Sequence, residues 1–444
     1  MFDALFTTTT EYKKLSHALS GKGACALFGL PASGRAQVYA ALCRQLDKPL
    51  CIVTPGEAEA TRFAADLNTL GIPAAVFPAR DYVLRPIEGT AREYEYRRLA
   101  VLGELVGGRL RAVAVPAEAL TQFTTPKEDF CANTRTLHAG DTLLRDDLLA
   151  ALFGAGYTRR AQVDGPGQFS VRGDIVDIFA PDQKMPVRME FWGDEIDTLH
   201  TFDLTTQRRE DAIDKFYLSP AREVLFGKPA DAAEQLRAFL AKQRGKKKTA
   251  MADCMAADLD LLDGGAVPVN MDKYLAVRYP HPATVLDYFD DPILVAEEPA
   301  SIREADRATA YRRGEELKSL ILDGVLCAGL DNLYADPSYL WSKTGHYRTI
   351  CAENFARSMP DQPLKDIINA PAHTLPAWNG EVAGLLEDLK PLCDAGYTVT
   401  LLAGTDRAAA GLARDLRDKG ILVTTDAAAA PAARLVQVLA GHLS

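Results

Sequence analysis

The fold is decided by the stretch ACALFGLPASGRAQVYAALCRQL, which covers residues 24–46. It contains a short apolar run, a glycine-rich turn and a segment of helical periodicity, so it predicts a buried strand, a tight loop and a helix. The apolar runs at 50–54 and 74–77 flank a second helical pattern, which stops at Gly71. Strands that alternate with helices predict an α/β domain built on a parallel, doubly wound sheet.

The turn in this stretch has the spacing of a phosphate-binding loop, G-x-x-x-x-G-K-[ST], but lacks its two chemical residues. Gly29 and Gly34 occupy the glycine positions, whereas Arg35 replaces the lysine and Ala36 replaces the hydroxyl residue that holds Mg²⁺. An arginine can still pair with a phosphate, but alanine cannot ligate a metal. We therefore predict a degenerate phosphate loop derived from an NTPase ancestor. Weak anion binding at the helix N-terminus is the alternative.

A second apolar run, 293–296, ends in Glu297 and Glu298, as a Walker B strand would. Two acidic residues also favour the start of the next helix, so the pattern does not by itself predict a metal site. The eight cysteines form no C-x-x-C pair and the seven histidines are dispersed. We predict no metal site, no cofactor and no catalytic constellation in this chain.

The texture changes after about residue 141, where closely spaced strand patterns predict an antiparallel α+β insert. Its two most informative segments are GQFSVRGDIVDIF at 167–179 and PVRMEFWGDEID at 186–197. Alternation puts their apolar residues on one face and Arg172, Arg188 and Trp192 on the opposite, solvent-facing one. Two arginines and a tryptophan on one face are typical of protein-binding hot spots.

A local alternative exists for these arginines, because either could pair with a nearby acid such as Glu190 or Asp177. Nucleic acid is a poor ligand for this segment, since residues 151–210 hold seven Lys and Arg against ten Asp and Glu. The basic run at 245–248 is predicted to end a helix and to remain solvated.

The order of patterns divides the chain into four segments. We assign 1–125 and 216–358 to the two halves of the sheet domain, 126–215 to the insert, and 359–444 to an additional α/β domain. The chain is predicted to be loop-like from about Pro360 onwards, as a linker would be. With 444 residues, a net charge of -10, no apolar run of membrane-spanning length and no signal peptide, we expect a cytoplasmic protein without a membrane partner.

Several runs together resemble the damage-recognition subunit UvrB and, more closely, the bacterial transcription-repair coupling factors of the Mfd family. They are QFSVRG at 168–173, DIF at 177–179, FWGDEID at 191–197 and TFD at 201–203. UvrB keeps the lysine and threonine of its phosphate loop, so Arg35 and Ala36 favour the coupling factors. The resemblance implies their N-terminal, UvrB-homology region: a UvrB-like α/β domain whose insert binds the excinuclease subunit UvrA, followed by a further α/β domain.

Carried over position by position, the UvrA-contacting residues of that family match Arg172, Arg188 and Trp192, with tryptophan where phenylalanine is usual. The resemblance implies a monomeric, non-catalytic adaptor that recruits UvrA to stalled RNA polymerase for nucleotide excision repair. In the full-length family protein, an ATP-dependent DNA translocase, polymerase binding, duplex DNA binding, ATP and Mg²⁺ are expected to belong to domains beyond residue 444. The alternatives are a UvrB-like, ATP-dependent damage-recognition subunit and a direct DNA-binding module.

Overall fold

The computed structural model describes residues 7–87, 92–359, 361–372, 382–427, 429 and 432–443. The helices are Thr10–Ala18, Ala32–Leu46, Glu57–Thr69, Glu93–Val106, Ala117–Leu120, Lys127–Ala132, Arg145–Gly154, Pro229–Ala241, Gly245–Asp263, Leu275–Arg278, Pro299–Leu322, Tyr339–Lys343, Val382–Asp394 and Asp406–Asp418, with 3-10 turns at Met271–Tyr274 and Val285–Tyr288. The strands, β1 to β18 in chain order, are Gly23–Phe28, Leu50–Thr54, Ala74–Val76, Ala112–Pro116, Arg135–His138, Thr158–Arg159, Gln168–Arg172, Ile175–Phe179, Val187–Trp192, Glu195–Phe202, Arg209–Ala212, Lys215–Leu218, Ile293–Glu297, Arg348–Glu353, Leu364–Asn369, Val399–Ala403, Leu422–Thr424 and Leu435–Ala440.

The largest element is a seven-stranded sheet of order β15-β1-β14-β13-β2-β4-β3, in which all neighbours are parallel. The central strands β2, β4 and β13 are buried along their whole length. This is the burial expected of a parallel sheet with helices on both faces, and a hydrophobic cluster lies on each side. The predicted α/β class is therefore confirmed.

The edge strand β15 corrects the predicted linker. It pairs in parallel with β1 and so belongs to the large sheet. Its residues nevertheless lie past the domain boundary predicted at 358, in the stretch predicted to be loop-like from about Pro360. Pro360 lies outside the described residues. Only Ile368 of this strand is buried. An edge strand with one apolar anchor lacks the continuous apolar run that marks the other strands, so its sequence resembles a loop.

The basic run at 245–248 is a second correction, because it begins a helix instead of ending one. Helix Gly245–Asp263 starts there, and the residues of the run are exposed. Lysines in a first helical turn oppose the helix dipole, so the dipole argument behind the prediction does not apply.

The insert forms a six-stranded sheet of order β11-β10-β9-β8-β7-β6, with the hairpins of β7 to β10 antiparallel as predicted. Helix Arg145–Gly154 buries Leu148 and Leu152 against one face of this sheet, in a core shared with Phe169 and Met189. A separate two-stranded sheet, β5 with β12, joins the two ends of the insert. The predicted α+β architecture is confirmed.

The chain leaves the insert through a fully buried ion-pair network. Glu223 accepts from Arg98 Nε at 2.5 Å and from Arg80 Nε at 3.1 Å, and Arg80 also contacts Asp272 at 2.7 Å. Buried charges are tolerated only where they are paired, so this network fixes the exit of the insert to the large domain.

The last segment is a smaller α/β unit. Its parallel sheet has the order β16-β18-β17, and helices Val382–Asp394 and Asp406–Asp418 bury Leu385, Leu389 and Leu416 against it. This agrees with the predicted additional α/β domain. None of the described helices combines the length and apolarity needed to cross a membrane.

Candidate partner-binding site

Strand β9 sets the two faces of the insert sheet. Val187, Met189 and Phe191 are buried, whereas Trp192 at the end of the strand is 81% exposed. The buried residues face helix Arg145–Gly154, so the alternation predicted from the sequence is present. Trp192 precedes the tight turn at Gly193, which leads into β10.

A single buried carboxylate organises the opposite, outer face. Asp177 lies on β8, between β7 and β9, and has no exposed surface. Its Oδ2 atom accepts from Arg172 Nη2 at 2.8 Å and from Arg188 Nη2 at 3.0 Å, while its Oδ1 atom accepts from Arg188 Nε at 2.7 Å. Hydrogen bonding to Asp177 raises the pKa of Arg188 above its usual value. The structure therefore brings the two predicted arginines together on one acid.

Arg188 differs from the predicted solvent-facing position, because only 13% of its side chain is exposed. Its Nη1 atom donates to the carbonyl of Gln207 at 3.2 Å, and its guanidinium lies 4.7 Å from the ring centroid of Phe202. Phe202 belongs to a small second cluster with Val163 and Phe179. Strand periodicity assigns a face but cannot show that loop segments fold over part of it.

Arg172 and Trp192 are the two accessible residues of the predicted trio. Half of the Arg172 side chain is exposed although it contacts Asp177. The other local acid considered, Glu190, pairs with Arg209. Both arginines therefore pair with a local acid, Asp177, as the alternative interpretation of the sequence expected. Arg188 is mostly buried in this arrangement, whereas half of the Arg172 side chain stays accessible.

The degenerate phosphate loop is occupied by an internal ion pair. Arg35 is buried, and its Nη2 atom lies 2.9 Å from Glu297 Oε2 and 3.1 Å from Glu298 Oε1. Its Nη1 atom donates to the carbonyl of Leu30 at 3.1 Å, and the hydroxyl of Tyr39 donates to Glu297. The guanidinium in the lysine position thus contacts the acids at the end of β13.

The other positions of this loop have structural uses. Ala36 is fully buried in the core of the large sheet. Gly29 has φ near +90°, and a Cβ there would lie 2.8 Å from the carbonyl oxygen of Ala370. The glycine therefore permits the close approach of the chain after β15. This contact explains the glycine at position 29 without a bound phosphate.

Burial dominates the electrostatics of this cluster. Desolvation raises the pKa of Glu297 to about 7, even though Arg35 and Tyr39 act in the opposite direction. Desolvation also raises the pKa of Tyr39 well above its usual value. Arg35, in contrast, keeps its charge, because the attraction of the acids outweighs its burial. Within the described residues, no group of three or more His, Cys, Asp or Glu side chains is arranged to hold a metal.

Two residues of these sites are not among the site residues predicted from the sequence. Tyr39 lies one helical turn after Arg35, a spacing that carries no signal of its own. Asp177 was considered only as a local pairing acid. Its position between apolar residues of a central strand was the available signal, because an acid there must be paired when it is buried.

The insert matches a known domain family, and the chain as a whole is similar to longer bacterial proteins. A family model described as the UvrB interaction domain matches residues 136–224, which include the whole outer face described above. The transcription-repair-coupling factor of Bacillus subtilis is 25% identical over 94% of the chain and 36% of the relative. That of Myxococcus xanthus is 35% identical over 44% of the chain and 17% of the relative, and that of Mycobacterium bovis is 34% identical over 56% and 20%.

The chain therefore spans about a third of the length of the Bacillus subtilis relative. The resemblance found in the sequence is confirmed: the insert matches the UvrB interaction domain family, and the chain is similar over nearly its whole length to transcription-repair-coupling factors.

Proposed function

We propose that this chain is a non-catalytic adaptor of transcription-coupled nucleotide excision repair, which binds UvrA through the outer face of its insert. One observation carries the proposal: the segment that matches the UvrB interaction domain exposes Arg172 and Trp192 on one sheet face, and Arg172 is anchored there by an ion pair with the buried Asp177. In the intact protein, this contact would recruit the repair machinery to a stalled RNA polymerase in the bacterial cytoplasm.

The chemistry of the face supports a protein partner. An exposed indole and a partly exposed guanidinium are the side chains most enriched among residues that dominate binding energy at interfaces. They project from a sheet with its own buried core, so little backbone ordering is needed on binding. We expect each of the two side chains to contribute about 2 kcal/mol, which corresponds to a roughly 30-fold change in Kd.

The non-catalytic part of the proposal rests on the phosphate loop. Arg35 already contacts two carboxylates and a carbonyl, and Ala36 is buried without a hydroxyl to offer Mg²⁺. A triphosphate would also meet the acids at the end of β13. We propose that nucleotide hydrolysis, polymerase binding and translocation on duplex DNA belong to the portions of the longer relatives that this chain does not span.

Calorimetric titration of the chain against purified UvrA tests the adaptor role. Arg172→Ala and Trp192→Ala should each weaken binding about 30-fold without changing the free energy of unfolding much, because Trp192 is largely exposed and Asp177 keeps its bidentate contact with Arg188 when Arg172 is removed. Arg237→Ala is the matched control, since this arginine is 52% exposed and carries one ion pair, as Arg172 does, but lies outside the insert. Binding that survives both variants would move the site elsewhere, and no binding by the parent would refute the proposal.

A further inference from the structure

We propose that Asp177 is a positioning residue of the outer face of the insert, called the docking face below, and that Arg188 acts mainly through Asp177. In this arrangement Asp177 and Arg188 hold the Arg172 guanidinium in place, and Arg172 and Trp192 make the contacts with the partner. The inference rests on the proposed function, which assigns this face to partner binding.

The geometry of the carboxylate supports a positioning role. Asp177 is in register with Ser170 on one neighbouring strand and with Arg188 on the other. Both of its oxygens are engaged, one by Arg188 Nε alone and the other by Arg172, Arg188 and, at 3.5 Å, the hydroxyl of Ser170. A fully buried carboxylate that receives three guanidinium hydrogen bonds fixes the directions of both side chains.

The surroundings of Arg188 distinguish its role from that of Arg172. The bidentate contact with Asp177, the bond to the carbonyl of Gln207 and the stacking on Phe202 hold Arg188 from three sides. For Arg172, the hydrogen bond found among the described residues is the one to Asp177, and half of its side chain is exposed. Long side chains lose rotamer freedom when they bind a partner, so a guanidinium ordered beforehand binds more tightly.

The charge balance of the cluster also indicates what the partner offers. The guanidiniums of Arg172 and Arg188 share the one carboxylate of Asp177, so this three-residue cluster has a net charge of about +1. Glu190 does not compensate, because it pairs with Arg209. The face therefore fits a partner surface that offers a carboxylate to Arg172 and, separately, an apolar recess to the Trp192 indole.

The variant Asp177→Asn separates positioning from simple electrostatics. The amide keeps one acceptor oxygen and replaces the other with an NH₂ group, so it cannot accept all three guanidinium hydrogen bonds that Asp177 receives, and the positive charge of the face rises. If only charge mattered, binding to a carboxylate-bearing partner would become faster and tighter. If Asp177 positions Arg172, UvrA binding should become about five- to tenfold weaker, the cost of re-ordering one or two long side chains.

Asp174→Asn is the matched control. Asp174 is also in the β7–β8 hairpin, but its side chain is 79% exposed and pairs with Arg145. It removes the same charge without touching the cluster. Arg188→Lys provides a second variant in case Asp177→Asn folds poorly, since lysine keeps the charge and loses the bidentate contact. The weaker binding of these variants should persist when salt or temperature is varied within the range in which the protein stays folded.

A measurement on the free protein makes the outcomes separable. Nitrogen-15 relaxation of the arginine side chains should report restricted Arg172 and Arg188 guanidiniums in the parent and in Asp174→Asn, and a mobile Arg172 guanidinium in Asp177→Asn. If the parent fails to bind UvrA, the proposed function fails while this relaxation result still judges the positioning role. If the parent binds and Asp177→Asn binds as tightly as Asp174→Asn, or Arg188→Lys binds like the parent, the inference is overturned.

Discussion

Replacing Glu297 by glutamine should remove a pH dependence of stability that arises in the degenerate phosphate loop. Glu297 is buried at the end of β13, 2.9 Å from Arg35 and hydrogen bonded by Tyr39. Burial raises its pKa to about 7 from an ordinary value of 4.5. Glutamine resembles the protonated acid in shape and charge, so the variant cannot follow this ionisation.

The sign and size follow from proton linkage. Between pH 4.5 and about 7, the unfolded chain releases the Glu297 proton while the folded protein retains it. Stability therefore decreases as pH rises through this window and is constant above it. A pKa difference of about 2.5 corresponds to about 3 to 4 kcal/mol, at about 1.4 kcal/mol for each unit. The free energy of unfolding of the parent, minus that of Glu297→Gln, should fall by this amount.

Urea denaturation of both proteins at intervals between about pH 4.5 and 8 measures this difference. Glu298→Gln is the matched control, because Glu298 contacts the same guanidinium at 3.1 Å but is 37% exposed. A partly exposed pair contributes at most about 1 kcal/mol, and both proteins keep Glu297, so the difference in free energy of unfolding between the parent and Glu298→Gln should change little with pH. A parent-minus-variant difference that stays constant across the window would show that Glu297 is ionised throughout and would refute the reasoning.

Three further outcomes are expected. Glu223→Gln should cost about 3–5 kcal/mol in urea denaturation, because it leaves Arg80 and Arg98 buried without their shared carboxylate; a loss below about 1 kcal/mol would contradict the network. Phe169→Ala should cost about 3–5 kcal/mol through the cavity it creates in the insert core, measured in the same way, with Trp192→Ala as the exposed aromatic control. Mg-ATP should leave the thermal unfolding midpoint unchanged, whereas an ATP-binding, UvrB-like subunit would gain about 2.7 kcal/mol at 100 times its Kd.

The large sheet was predictable because its strands are buried on both faces and therefore appear as continuous apolar runs. The strand β13 is an example: its residues are wholly buried, and its apolar run marks it in the sequence. The alternation in β9 was predictable for the related reason that one face of that strand contacts a core. The edge strand β15 gave no such signal, because only Ile368 is buried and β1 supplies its backbone pairing.

Side-chain partners were harder to predict than faces. The sequence places Arg188 opposite the core, but the turn around Gln207 covers it, and that contact joins residues from different hairpins. The pairing of Arg35 with Glu297 joins residues 262 positions apart. They meet because β13 lies beside β2, which follows the loop helix, and one strand away from β1, which precedes it. Such contacts depend on the sheet order, which a single sequence does not specify.

The phosphate loop and the docking face both contain arginines paired with carboxylates, but the ratio of arginine to acid is reversed between them. At the loop, one guanidinium contacts two carboxylates, so no positive charge remains for a phosphate. On the insert, two guanidiniums contact one carboxylate, so a positive charge remains and half of Arg172 is exposed to carry it outward. Because a buried charge must be balanced locally before it can serve a ligand, the ratio of arginine to acid in each cluster determines which one can receive a partner. This argument supports the proposal that the insert binds the partner, because the guanidinium of the degenerate phosphate loop is already taken up by the acids at the end of β13.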